Sequence, residues 1–145
     1  MRALLDVNVL IALLDPDHAF HSIGHNWWSA NHEAGWASCP ITENGVVRVL
    51  SQPGYSAKTQ FTPATIISKL QAFVERTDHQ FWPDEISLRE SAHFHSERIH
   101  SSRHITDAYL LALAVQNGGR LATFDVSIAI NAISAATSSS LCIIK

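Results

Sequence analysis

Short apolar blocks alternate along this chain with stretches that repeat at helical spacing. RALLD (2–6) predicts a buried strand that passes directly into a helix through Leu14, stopped by DPDH at 15–18. GWASCP (35–40) predicts a second strand and ITENGVVRVL (41–50) the helix behind it, with QPGY (52–55) breaking the chain afterwards. Thr62 and Pro63 form a cap and a first-turn proline ahead of the stripe Ile66, Leu70, Phe73 and Val74. HQFWP (79–83) predicts a short strand, and Glu85 to about Ser101 a helix with Leu88, Ala92, His95 and Ile99 on one face and His93, Glu97 and His100 on another. ITDAYLLALAVQNGG (105–119) is apolar nearly all round, which predicts a buried helix capped by Thr106 and stopped by glycine. RLATFD (120–125) predicts a strand, SIAINAI (127–133) a short helix and LCIIK (141–145) a closing strand. Strands alternating with helices are the pattern of an α/β fold with a parallel sheet.

Composition narrows the class. At 145 residues with 46% hydrophobic and 16% charged content, the chain suits one globular domain with a real core, and neither a linker nor an internal repeat divides it. Cys39 and Cys142 lie far apart, without metal-binding spacing, and are expected as small buried residues in a reducing compartment. No apolar run reaches the ~18 residues of a membrane span, and Asp6 and Asn8 interrupt the first block before a signal-peptide core can build, so a cytoplasmic location is expected. A net charge of −3 argues against binding nucleic acid through bulk charge. The most cationic stretch interleaves His79, His93, His95, His100 and His104 with Arg89, Arg98 and Arg103.

The acids carry the chemistry. An ionised carboxylate placed in an apolar block is costly without a partner, so Asp6 in LLDVNVLIALL needs a reason to be there. Asp6 and Asp125 each end a predicted strand, and Glu43 and Asp107 each fall in the first turn of a predicted helix. In a parallel sheet, strand C-termini and the helix N-termini that follow share one rim, where such folds bind ligands. Acids converging there repel unless a cation joins them, and an all-oxygen donor set suits Mg²⁺ or Mn²⁺. His100, His104 and Asp107 have the spacing of a zinc face, although a helix beginning at Thr106 would separate them.

LLDVNVLIALL, PITENGVVRVL, ITDAYLLALA and LATFD, in that order, resemble the PIN-domain nucleases, and more narrowly the VapC-type toxins of bacterial toxin–antitoxin pairs. The resemblance runs the length of the chain and implies a single PIN-like domain over 1–145, a three-layer α/β/α fold around a mostly parallel sheet of four or five strands. It implies a Mg²⁺- or Mn²⁺-dependent endoribonuclease, with the acidic quartet falling on Asp6, Glu43, Asp107 and Asp125 as metal ligands and catalytic groups. Asn8 and Thr123 match the polar positions that orient the first and last acids. The implied partners are an RNA substrate, a VapB-like antitoxin and a second copy of the chain in a homodimer. Arg98, Arg103 and His104 are the candidate RNA contacts, and Phe20 with Trp27 or Trp28 the candidate lining of an antitoxin groove. Two other classes remain open: a binding module whose acids hold a structural ion, and a metal-dependent phosphatase, which would want an acid where Asn8 stands.

Overall fold

The computed structural model describes all residues, Met1–Lys145. Five strands form one sheet: β1 (Ala3–Leu5), β2 (Trp36–Ser38), β3 (His79–Phe81), β4 (Arg120–Thr123) and β5 (Leu141–Ile143). Their order is β3-β2-β1-β4-β5, and every neighbouring pair is parallel. The five helices are α1 (Val7–Leu14), α2 (His21–Asn31), α3 (Pro40–Leu50), α4 (Pro63–Arg76) and α5 (Ile105–Gln116). None is long and apolar enough to cross a membrane.

Strand alternation sorts the core into two layers. Leu4, Ala37 and Leu121 face α5, whose residues Ala108 to Ala114 are all buried. Ala3, Leu5, Trp36 and Ala122 face the opposite way, against Val9 and Leu10 of α1, Val46 and Leu50 of α3, and Ile66 and Leu70 of α4. Helices thus cover both faces of the sheet, as its apolar strands require.

Three local devices set the rim. Pro40 opens α3, and the Thr42 hydroxyl accepts the Cys39 N–H at 3.0 Å, which places Glu43 in the first turn. Gly45 lets α3 approach α1 closely: a Cβ there would lie 2.7 Å from Val7 Cγ2. At the far end of α5, Gly118 takes φ +70°, a left-handed stop that turns the chain into β4.

The sequence pattern and the structure differ in four places. The expected helix over 85–101 is a series of turns with one 3₁₀ turn at Ser96–Arg98. Its buried residues are Ile86 and Phe94, with Leu88 exposed, and no helical face joins them. Backbone groups in this stretch pair instead with a distant segment: Phe94 bridges Ile133, the His95 N–H bonds Ala132 O at 2.8 Å and the Ser134 N–H bonds His93 O at 3.0 Å. That segment, expected as a helix over 127–133, keeps only the 3₁₀ turn Ile130–Ala132. The two loops together wrap α5. Helix α5 begins at Ile105, so Thr106 lies inside its first turn and His104 takes the cap position. Helix α2 was not signalled by the pattern, because Gly24 and a run of His, Ser and Asn dilute it. Its one buried residue is Gly24, where an added Cβ would reach Ala12, Leu13 and Phe124 at ordinary contact distance.

Candidate active site

Asp6 leaves the end of β1 and caps α1. One carboxylate oxygen accepts the Val7 N–H at 2.7 Å, and the other accepts the Thr123 hydroxyl at 2.8 Å. Thr123 is fully buried at the end of β4, and its Oγ1 also accepts the Asp125 N–H at 3.0 Å. A single hydroxyl therefore ties the first acid to the turn that carries the last one, across strands paired Leu5 to Ala122. Asp125 is fixed in turn by Ser127, whose hydroxyl and N–H reach its Oδ1 at 2.6 and 2.8 Å.

The three aspartates sense one another. Burial pushes the Asp6 carboxyl up from its ordinary value, against the hydrogen bonds from Thr123 and Val7, and the charge of Asp125 adds to the rise. Asp107 is pushed up to about 6, first by burial, then by the charges of Asp6 and Asp125, and by a proton shared with Asp125. Asp125 goes the other way: donation from Ser127 and from Asp107 holds it low, with His104 contributing. Neighbouring carboxyls with proton affinities pushed apart are the electrostatic mark of a crowded acid site.

A hard divalent cation fits this donor set. Every group in it offers carboxylate or hydroxyl oxygen, and the repulsion that raises Asp6 and Asp107 is what such a cation offsets. No three His, Cys, Asp or Glu side chains close around a point as a complete cage. An ion that keeps several waters needs only a few protein ligands. The zinc-like set of His100, His104 and Asp107 does not assemble, because His100 lies before the 3₁₀ turn Ser102–His104 and helical spacing does not extend to it.

Glu43 stands apart from the aspartates in its bonding: its Oε2 accepts the Ser38 hydroxyl at 2.5 Å. Asn8 is exposed and its side chain makes no hydrogen bond within the chain.

The PIN domain family model matches residues 3–133. This chain belongs to the PIN-domain family. Ribonuclease VapC44 of Mycobacterium tuberculosis is 49% identical over 137 residues, 94% of this PIN domain and 95% of the relative. Ribonuclease VapC39 of the same species is 42% identical over 129 residues, 89% and 92% of the two chains. These relatives place the chain in the VapC type. A crystal structure of VapBC2 from Rickettsia felis, bound to a DNA fragment from their promoter, shares the fold with a TM-score of 0.55 at 15% identity, over 88% of this chain and 90% of that one.

The remaining candidates of this PIN domain fall in two regions. Arg98 and His104 border a cleft with Asp107, floored by Ile99, Ala108, Ile128 and Ala132. Its volume of about 10 Å³ admits one water and no nucleobase. Arg98 is committed to Asn131 O at 2.9 Å, and Arg103 is exposed in the 3₁₀ turn next to His104. On the other side, Trp28 lines a groove of about 470 Å³ with Leu13, Leu14, His21, Phe73 and Lys69, whereas Trp27 sits under Arg120 and Phe20 packs on Phe124. Ser127 and Ser38 were not singled out by the sequence, since a serine beside an acid is too common to signal a role. Only its distance from the carboxylate distinguishes it.

Proposed function

We propose that this PIN domain is the toxin of a VapBC-type pair, an endoribonuclease that cleaves RNA with Mg²⁺ or Mn²⁺. The observation that carries the reading is the set Asp6, Asp107 and Asp125 on the C-terminal rim of a parallel sheet, with proton affinities driven apart, in a chain 49% identical to a ribonuclease. Asp6, Asp107 and Asp125 hold the cation directly or through water, and Glu43 supplies the fourth carboxylate. Once bound, such an ion supplies Lewis-acid activation of water and shields phosphate charge.

The protein groups have separate tasks. Thr123 aims Asp6 and opposes the rise that burial imposes on its carboxyl, and Ser127 aims Asp125 and holds its carboxyl low. Asp107, pushed up by burial and by the charges of Asp6 and Asp125, is the carboxyl whose repulsion a bound cation would relieve most. Arg98 and His104 line the cleft that Asp107 borders, and exposed Arg103 precedes His104, which supports a role for the three in RNA contact.

A VapB-like antitoxin is the proposed regulator, and the groove under Trp28 has the mixed apolar and cationic lining that an amphipathic helix uses. A homodimer is proposed as well, supported by exposed Ile67, Phe81, Leu88 and Ile105, and light scattering of the purified chain checks it. The function is tested by incubating the purified protein with single-stranded RNA in Mg²⁺ and in EDTA, beside Asp6→Asn. Cleavage that needs the metal and disappears in the variant supports the reading. Cleavage that survives chelation, or none by the parent, overturns it and favours a module that acts by binding alone.

A further inference from the structure

Ser38 is the last residue of β2 and is completely buried. Its Oγ has two partners: Glu43 Oε2 at 2.5 Å and His79 Nε2 at 2.7 Å. A hydroxyl carries one proton, and an ionised carboxylate can only accept. The serine proton therefore goes to Glu43, and Oγ must accept a proton from His79 Nε2. Charge and valence fix the direction of both bonds, and with it the imidazole tautomer. Complete burial of Ser38 excludes a serine nucleophile, because its oxygen has no access to a substrate.

His79 is itself held firmly. It opens β3 in register with Trp36, and the two rings stand 4.4 Å apart. The Trp36 indole N–H donates to Thr77 Oγ1 at 2.7 Å, and the Thr77 hydroxyl donates to Phe73 O at 2.6 Å. A relay of fixed groups thus runs from the end of α4 through the sheet to Glu43. Glu43 Oε2 is committed to this relay, while Oε1 makes no hydrogen bond and the residue is only half-buried. Helix α3, which carries it, is pressed against α1 at the Gly45–Val7 contact, one residue from Asp6.

We propose that Ser38 and His79 are positioning residues for Glu43: the imidazole fixes the hydroxyl, the hydroxyl fixes Oε2, and Oε1 is left free for a divalent cation or its water. This rests on the metal-dependent nuclease reading, which assigns Glu43 to the metal. Groups that orient a ligand in this way typically change metal affinity by about 10- to 100-fold when removed.

The test measures Mn²⁺ affinity by the paramagnetic resonance signal of free Mn²⁺, with the Mg²⁺ concentration for half-maximal RNA cleavage recorded on the same preparations. His79→Phe keeps a ring on Trp36 and removes the Nε2–H, His79→Gln restores an amide donor at the same reach, and Ser38→Ala removes the hydroxyl. Glu43→Gln serves as the reference for loss of the ligand. The expected result is at least ~10-fold weaker Mn²⁺ binding in Ser38→Ala and His79→Phe, with His79→Gln close to the parent. Melting in EDTA identifies any variant that has failed to fold, and the comparison of Phe with Gln at position 79 stands without Ser38→Ala. Parent-like affinity in both Ser38→Ala and His79→Phe, alongside a weakened Glu43→Gln, overturns the positioning claim and leaves the nuclease reading intact. Parent-like affinity in Glu43→Gln overturns it by removing Glu43 from the metal. A parent that binds Mn²⁺ but cuts no RNA defeats the nuclease reading alone, and the affinities still decide the positioning.

Discussion

Replacing Asp107 by Asn isolates the energetic cost of crowding acids on this rim. The carboxyl is pushed from its ordinary 3.8 up to about 6 by burial and by the charges of Asp6 and Asp125. A value raised in the folded state means that the group's contribution is fully present below the unfolded value and is lost as pH rises through about 6. At neutral pH, without metal, ionised Asp107 therefore works against folding. A shift of this size corresponds to roughly 3 kcal/mol for an enclosed group at ~1.4 kcal/mol per pH unit, and solvent screening at this half-exposed position reduces it to ~1 kcal/mol. Urea melts in EDTA at about pH 7.5 should find Asp107→Asn more stable than the parent by that amount, with the gap narrowing as pH falls through about 6 and closing only below the unfolded value of 3.8. In a thermal melt the same gap is ~2–4 °C for a chain of this length. An Asn variant less stable than the parent at neutral pH, or a gap that ignores pH, would mean that Asp107 is a structural hydrogen-bond partner and that the acids do not repel as described.

Thr123→Val removes the donor to Asp6 and the acceptor for the Asp125 N–H, and should lower stability by ~1–3 kcal/mol, read as a lower urea midpoint at unchanged slope. Gly45→Ala puts a methyl 2.7 Å from Val7 Cγ2 and should cost ~1–3 kcal/mol, most of it recovered in the double variant with Val7→Ala. Ser127→Ala takes away the hydroxyl that holds Asp125 low, so carboxyl NMR titration should find that group moved up toward its ordinary value.

How legible each part was follows from how local its cause is. Asp6 announces itself because a charge inside LLDVNVLIALL violates the apolar pattern. Asp107 and Asp125 follow from strand and helix ends that the same pattern marks, and α1, α3 and α4 are set by caps and stripes within their own sequences, α5 by its apolar run. The stretch 85–101 was illegible because Phe94 and His95 find their partners at Ile133 and Ala132, contacts that no local period encodes. The sequence names four candidate acids but not their geometry, and the structure couples three of them, Asp6, Asp107 and Asp125. Ser38 and His79 meet only through the pairing of β2 with β3, so the second partner of the hydroxyl that holds Glu43 is one that sequence spacing could not supply.

The central claim is that these acids place a divalent cation against an RNA phosphate, and sulfur substitution at the scissile linkage tests it most directly. An RNA cut by the purified protein is resynthesised with one nonbridging phosphate oxygen replaced by sulfur, each stereoisomer being assayed in Mg²⁺ and in Mn²⁺. Mg²⁺ binds sulfur poorly and Mn²⁺ tolerates it, so one isomer should be cut slowly in Mg²⁺ and recover in Mn²⁺, with Asp6→Asn inactive in both. Equal cleavage of both isomers in either metal, or cleavage that persists in EDTA, contradicts the account.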